Sequence, residues 1–159
     1  MSFWRKNQTQ IFLDTTGGSA SPTWARLGLS TVLSIDINPS TEDYDFIKDE
    51  NPTTVVDKNQ PTLSQELMCQ EGDSCFDYIW EMFYGLKSGS EVETSAIFAF
   101  PKASGSTTGS YEAWKSDVTI ILGSFDAVAR KITFDIRTAG DVTLGKVTVT
   151  GGVPTFSGN

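Results

Sequence analysis

Histidine is absent from this 159-residue sequence, and cysteine is scarce. Without histidine there is no Ser-His-Asp or Cys-His arrangement, and the most common general base and metal ligand of enzymes is missing. Cys69 and Cys75 are too few for a disulfide framework and cannot complete a Cys/His zinc site. We therefore expect no enzyme activity, no catalytic, metal or cofactor-binding residues, no small-molecule substrate, and two reduced thiols packed as small hydrophobic groups.

Long apolar runs and positive charge are also lacking. No segment approaches the ~20 apolar residues of a membrane span, and the N-terminus has no apolar stretch of signal-peptide length, which predicts a cytoplasmic protein without a membrane partner. Twelve Lys and Arg against twenty Asp and Glu give a net charge of −8. Because tight DNA binding depends on clustered cations, this charge disfavours it, although a negative surface would let DNA pass without sticking.

Alternating apolar and polar residues dominate what is present, and this period of two predicts strands with one buried face. It is clearest at 33–37, at 118–122 and at 131–137. Near the C-terminus the apolar residues change from even to odd positions at Gly145, which predicts a β-bulge there. Ten Phe, four Trp and four Tyr can fill one core, so a single domain over 1–159 is expected.

One segment has a helical period instead. Apolar residues between 76 and 84 recur at the spacing of an amphipathic helix, predicted over about 73–86. Ser74 with Asp77 fits a capping box, and Asp73 is an alternative N-cap. A helix of this kind covers one face of a sheet. The fold class expected is mainly β, a two-sheet antiparallel β-sandwich or half-barrel flanked by one α-helix.

Three segments fall outside these patterns: an N-terminal arm of about 1–10, a polar loop of about 38–61 with three prolines and an acidic run, and a C-terminal tail of about 151–159. Long loops are uncommon in compact domains unless they serve a function. Exposed large apolar residues on such segments mark surfaces that become ordered against a partner. The candidates for contacts between subunits and rings are Phe3, Trp4, Tyr44, Phe46, Ile47 and Phe156.

The order of several segments resembles the major tail tube proteins of long-tailed, siphophage-type bacteriophages. These segments are 24–28 before a strand, 39–47 with Asp49 and Glu50 after it, 60–64, Gly72-Asp73 at the helix start, 111–117, and 154–156. The resemblance implies the phage tail-tube fold, with protomers that form six-fold rings and stack into a hollow tube for DNA delivery. It also implies the tape measure, terminator and distal tail proteins as partners, and a virion tail assembled in the host bacterial cytoplasm.

A tube of this kind needs a lining and a way to complete its sheet edges. Asp36, Asp117 and Asp135 are the candidates to face the lumen, where genomic DNA would pass without specific binding. Open edge strands would be satisfied by neighbouring copies in a ring. Two alternatives remain: a monomeric lipocalin-like β-barrel that binds a small ligand, and a related tail terminator or tube subunit of a contractile system.

Overall fold

The computed structural model describes residues 3–105 and 109–159. Short 3-10 helices lie at Lys6–Gln8 and Gly89–Val92. The longer elements are, in chain order, β1 (Gln10–Asp14), β2 (Trp24–Arg26), β3 (Ile35–Asp36), β4 (Pro39–Tyr44), β5 (Thr53–Asn59), β6 (Thr62–Met68), α1 (Ser74–Tyr84), β7 (Glu93–Ala103), β8 (Ser110–Asp126), β9 (Lys131–Thr150) and β10 (Val153–Gly158). The prediction of a mainly β fold with one helix is confirmed.

The strands form one large antiparallel sheet and one small one. The large sheet has the order β2-β1-β7-β8-β9-β6-β3, and β10 pairs with the distal part of β9. Strands β4 and β5 form a separate two-stranded sheet. Strands β8 and β9, which are 17 and 20 residues long, run through the centre of the large sheet and carry its longest ladder.

The large sheet curls until its two ends meet. The Leu27 N–H donates to the Ile11 carbonyl of β1 at 2.9 Å, while the Leu29 carbonyl accepts from the Met68 N–H of β6 at 3.2 Å. Residues 27 and 29 are two peptide units apart, at most ~7 Å. One end of the strand order is therefore connected to the other by a single short crossing, and the sheet forms a nearly closed barrel around its core.

The barrel core is filled by side chains from both the sheet and the helix. Leu13, Leu63, Phe98 and Ile136 are fully buried in it, and α1 closes it with residues that include Ile79. Burial of these five side chains contributes roughly 8–15 kcal/mol to folding, at about 1.5–3 kcal/mol each. This burial, rather than helix propensity, holds α1 in place.

The predicted helix is confirmed, with bounds close to those expected. The Asp73 carboxylate accepts a hydrogen bond from the Phe76 N–H at 3.1 Å, so Asp73 is the N-cap. Gly85 ends the helix, and its N–H bonds to the Glu81 carbonyl. Of the two capping arrangements proposed from the sequence, the structure therefore has the one with Asp73.

The apolar pattern of β9 changes sides because the buried face of the sheet changes sides. Ile132, Phe134 and Ile136 pack into the barrel core, whereas Val147 packs into a second cluster with Phe12 and Ile97 on the opposite face. The bulge predicted at Gly145 is wrong, since Gly145 stays in register with Ala113. The irregularity lies earlier, where the three residues 140–142 oppose one residue of β8.

The prediction of a polar loop at 38–61 is wrong, because most of this segment is the β4–β5 hairpin. Its ladder runs from Pro39 opposite Asn59 to Tyr44 opposite Thr53, and 45–52 form the connecting loop. The strand predicted at 33–37 is reduced to the two residues Ile35 and Asp36, because the segment crosses between the sheet ends.

The prediction of a C-terminal tail at 151–159 is also wrong. Val153–Gly158 form β10, which pairs with β9 through a turn in which Gly151 and Gly152 both have positive φ. Such a turn favours a Gly-Gly pair, because only glycine adopts both left-handed positions without strain. The N-terminal arm predicted at 1–10 has its first two residues outside the described part, and its last residue belongs to β1.

Candidate assembly surfaces

The β4–β5 hairpin stands away from the rest of the molecule. Every residue of both strands is exposed, and among the described strands each pairs only with the other. The β-branched run at 53–56 favours an extended chain, and the Thr54 hydroxyl donates to the Asp43 carboxylate at 2.6 Å across the ladder. An isolated two-stranded hairpin is at best marginally stable in water, so this one needs a surface to pack on.

The tip of the hairpin, defined as residues 42–50, combines apolar and acidic side chains. Tyr44 and Phe46 stack with ring centroids 5.7 Å apart, and Ile47 is fully exposed. The Tyr44 hydroxyl donates to the Glu42 carboxylate at 2.6 Å, and this bond raises the Tyr44 pKa. Five acids and one lysine surround these apolar groups in 42–50. The structure thus brings together the candidates Tyr44, Phe46 and Ile47.

Sequence reasoning missed two exposed residues of the hairpin stem. Val55 and Val56 on β5 are 44% and 56% exposed, which adds apolar surface next to the tip. Their signal was the run Thr-Thr-Val-Val, which has high strand propensity and follows a proline. Isolated exposed apolar residues are common, but several on one protruding element mark an interaction surface.

The terminal candidates have different surroundings. Phe3 is 90% exposed and Trp4 66% exposed, as expected for an arm. Trp4 lies beside a shallow groove formed by Phe100, Trp114 and Leu144. Phe156, in contrast, is half-buried in β10 and packs on the second cluster of the same chain, so it is not part of a free tail.

The three lumen candidates lie on one face of the large sheet. Asp36 is opposite Thr62 of β6, and Thr62 is opposite Arg137 of β9. Asp135 is two residues before Arg137 and therefore points to the same side. On β8, Asp117 pairs with Ala139, which lies four residues after Asp135 in β9 and is therefore on the same face. This surface, called the polar face, is opposite the face that packs against α1.

The polar face carries more negative than positive charge. Its charged residues over β3, β6, β7, β8 and the first half of β9 are Asp36, Glu66, Glu93, Asp117, Asp126 and Asp135 against Lys115, Lys131 and Arg137. Lys131 and Glu66 form a partly exposed ion pair at 3.8 Å. The Asp117 carboxylate accepts from the Ser95 hydroxyl at 2.9 Å. The uncompensated carboxylates leave this face with a negative potential.

The two thiols are free, and one is deeply buried. Cys75 on α1 donates to the Ala25 carbonyl at 3.2 Å. Burial, and secondarily the charge of Asp73, raises the pKa of the Cys75 thiol to about 12, which makes it an inert packing group. Within residues 3–105 and 109–159 no group of three His, Cys, Asp or Glu is placed to hold a metal. In the same ranges, no helix is both long and apolar enough to span a membrane.

Comparison with known proteins gives a structural likeness but no sequence family. No protein-family model and no curated protein matches the chain. The fold is similar to that of a chain in the tail of an empty GTA particle determined with C6 symmetry, with a TM-score of 0.63 and 11% identity over 89% of this chain and 98% of that one. A chain of the anti-feeding prophage cap, which terminates the AFP tube, gives a TM-score of 0.48 and 15% identity over 91% of each chain. The first likeness shows that this chain has a tail-tube-like fold.

Proposed function

We propose that this chain is the tube-forming subunit of a phage-like tail. Copies assemble into six-fold rings, and the rings stack into a hollow conduit that delivers DNA into the host. The observation that carries the proposal is the β4–β5 hairpin, an arm with every strand residue exposed on a fold similar to that of a tail chain with C6 symmetry. Packing the hairpin on another copy buries its apolar tip and stabilises its ladder.

The polar face supports the same proposal because it supplies a lining for the conduit. Its carboxylates gather on one side of the sheet, away from the face that α1 covers. Duplex DNA carries about one negative charge per 1.7 Å, so a wall of like charge disfavours adhesion within a Debye length of roughly 10 Å. We place this face toward the bore, with Asp36, Asp117 and Asp135 nearest the DNA.

The packing of the barrel interior favours this function over a lipocalin-like ligand carrier. A carrier needs a cavity of roughly 300 Å³ or more inside its barrel. Here the interior is filled by fully buried side chains such as Leu63, Phe98 and Ile136, together with the helix. The larger concave sites, such as the groove beside Trp114, are open to the surface.

The proposal also sets the partners and the location of the chain. A tube of this kind has two ends and a bore. We therefore expect contacts with a terminator and a distal tail protein at the ends, and with a tape measure protein inside the bore. Its place is the virion tail, and its assembly takes place in the bacterial cytoplasm. DNA within the bore is a passing partner and is not bound specifically.

Sedimentation velocity over a hundredfold range of concentration tests the proposal. The wild-type chain is expected to form rings or long polymers as concentration rises. Ile47→Asp, which places a charge at the exposed apex of the hairpin, is expected to keep the chain monomeric. Val128→Asp is the matched control, since Val128 is 93% exposed but lies outside the hairpin; it should assemble like the wild type. A wild-type chain that stays monomeric throughout contradicts the proposal.

A further inference from the structure

We infer that the hairpin tip of one copy binds a specific pocket on a second copy, formed where β1, β2 and the crossing segment 27–33 meet. This inference rests on the proposed function and names the receiving surface for the hairpin. The pocket, called the basic pocket, has a volume of ≈ 560 Å³, within the range of sites that enclose a ligand. Its lining includes Lys6, Ile11, Arg26, Leu27, Val32 and Leu33.

The lining of the basic pocket is apolar at its base and cationic at its rim. Ile11 is buried, Leu27 is partly buried against the barrel core, and Leu33 is 44% exposed toward solvent. Arg26 is oriented by a hydrogen bond from its guanidinium to the Asn7 carbonyl at 3.2 Å. The described residues that line the pocket include Lys6 and Arg26 but no acid. Such a cationic site is conspicuous in a chain with a net charge of −8.

The hairpin tip has the complementary chemistry. Ile47, Phe46 and Tyr44 supply apolar groups for the base of the pocket. The acids Glu42, Asp43, Asp45, Asp49 and Glu50 surround them and face a cationic rim when the tip is inserted. An apolar anchor with a ring of opposite charges is the arrangement that gives protein contacts both affinity and register.

The groove beside Trp114 is the rival receptor, and its charges fit the tip less well. Lys102 at that groove is already paired with Glu112 at 3.8 Å, so its positive charge is compensated within the chain. Trp4 of the same chain also lies against this groove. The acidic tip therefore gains more from the basic pocket, where neither cation faces an acid of the lining.

A contact between a tip and a different surface of the next copy is head-to-tail. Such heterologous contacts propagate from copy to copy and build rings or open polymers, whereas a self-complementary contact stops at a dimer. The basic pocket and the hairpin belong to different parts of the chain, separated by β3. Each copy can thus receive one tip and offer another.

Charge reversal at the pocket tests the inference. Lys6→Glu is expected to raise the concentration needed for polymerisation about tenfold, the effect of losing roughly one charged contact. Asp45→Lys in the same chain should restore much of the loss. Lys102→Glu is the matched control and should assemble like the wild type. Equal polymerisation of the Lys6→Glu and wild-type chains overturns the inference while the proposed function stands; a wild-type chain that never polymerises overturns both.

Disulfide trapping gives a second readout that does not depend on the charges. In a Cys69→Ser background, Ile47→Cys is combined with Leu33→Cys at the pocket or with Leu144→Cys at the rival groove. A disulfide forms only where the Cα atoms approach within about 7 Å, so oxidised polymers of the Leu33 pair should give covalent ladders on denaturing gels. Ladders from the Leu144 pair alone contradict the inference. If Trp4 of a second copy occupied the pocket in place of the hairpin tip, the Lys6→Glu chain would assemble like the wild type. That result would also contradict the inference.

Discussion

Gly145→Ala should detach the C-terminal strand from the sheet. A Cβ at this position would lie 2.6 Å from Phe156 Cζ and 3.0 Å from Gly158 Cα, and it would also meet the Ser157 carbonyl oxygen. Carbon atoms pack at about 3.5–4.0 Å, so β10 must move by about 1 Å or more. Two of the three obstructing groups are backbone, which a rotamer change cannot relieve.

The expected cost of Gly145→Ala is about 2–3 kcal/mol of unfolding free energy, the range for overpacking a filled site. For a chain of this size, that corresponds to a fall in melting temperature of roughly 4–12 °C. Gly158→Ala is the matched control, because its Cβ would meet only Thr143 Cγ2 at 3.8 Å, an ordinary contact. It should change stability by less than about 0.5 kcal/mol.

Urea denaturation followed by tryptophan fluorescence measures both glycine variants. Hydrogen exchange in Val153–Gly158 shows whether the loss is local to β10 or global. Equal midpoints for Gly145→Ala and the wild type would mean that β10 does not pack on Gly145 as the structure places it.

Three further predictions address the helix, the thiols and the polar face. Asp73→Ala removes the acceptor for the Phe76 N–H and should cost about 1 kcal/mol by urea denaturation; no change would mean that water replaces the cap. Because Cys75 is fully buried and its pKa is raised to about 12, a thiol reagent should modify Cys69 but not Cys75 in the native chain. The stability that the neutral Cys75 confers should fall as pH rises from about 9 to 12. Rapid modification of both thiols in the native chain contradicts the prediction. Asp135→Lys should slow DNA ejection at low salt while leaving tube formation intact, and equal ejection rates would count against a bore lined by the polar face.

The helix and the central strands were predictable because their burial pattern is written into the sequence. Alternation at 131–137 identified the two faces of β9, and the spacing of apolar residues around Ile79 identified α1. Asp36, Asp117 and Asp135 are polar alternate positions on separate strands. That they share one face depends on register between strands distant in sequence, which only the structure provides.

The β4–β5 hairpin was missed for the opposite reason. All of its strand residues are exposed, so no alternation of burial marks it, and prolines with acids read as a loop. The sequence does not predict the β10 strand, because Pro154 stands within it and Phe156 is isolated among polar and glycine residues. Its signal was the Gly151-Gly152 pair between β-branched residues, which is typical of a tight hairpin turn.

The curled sheet leaves few open edges to be completed by neighbouring copies. The sequence suggested that open edge strands are completed by neighbouring copies, whereas the crossing at 27–29 already brings the two ends of the sheet together within one chain. The element that still needs a partner is the hairpin, whose exposed strands pair only with each other among the described strands. Assembly through the arm therefore replaces edge pairing as the main physical argument for a polymer.

Electron microscopy of the concentrated wild-type chain, carried through to a helical reconstruction, shows whether the chain forms a tube and which face lines it. We expect hollow tubes of stacked six-fold rings, with the face of Asp36, Asp117 and Asp135 toward the bore and each hairpin tip inserted into another copy. Isolated single particles at every concentration, or tubes whose polar face points outward, would contradict this expectation.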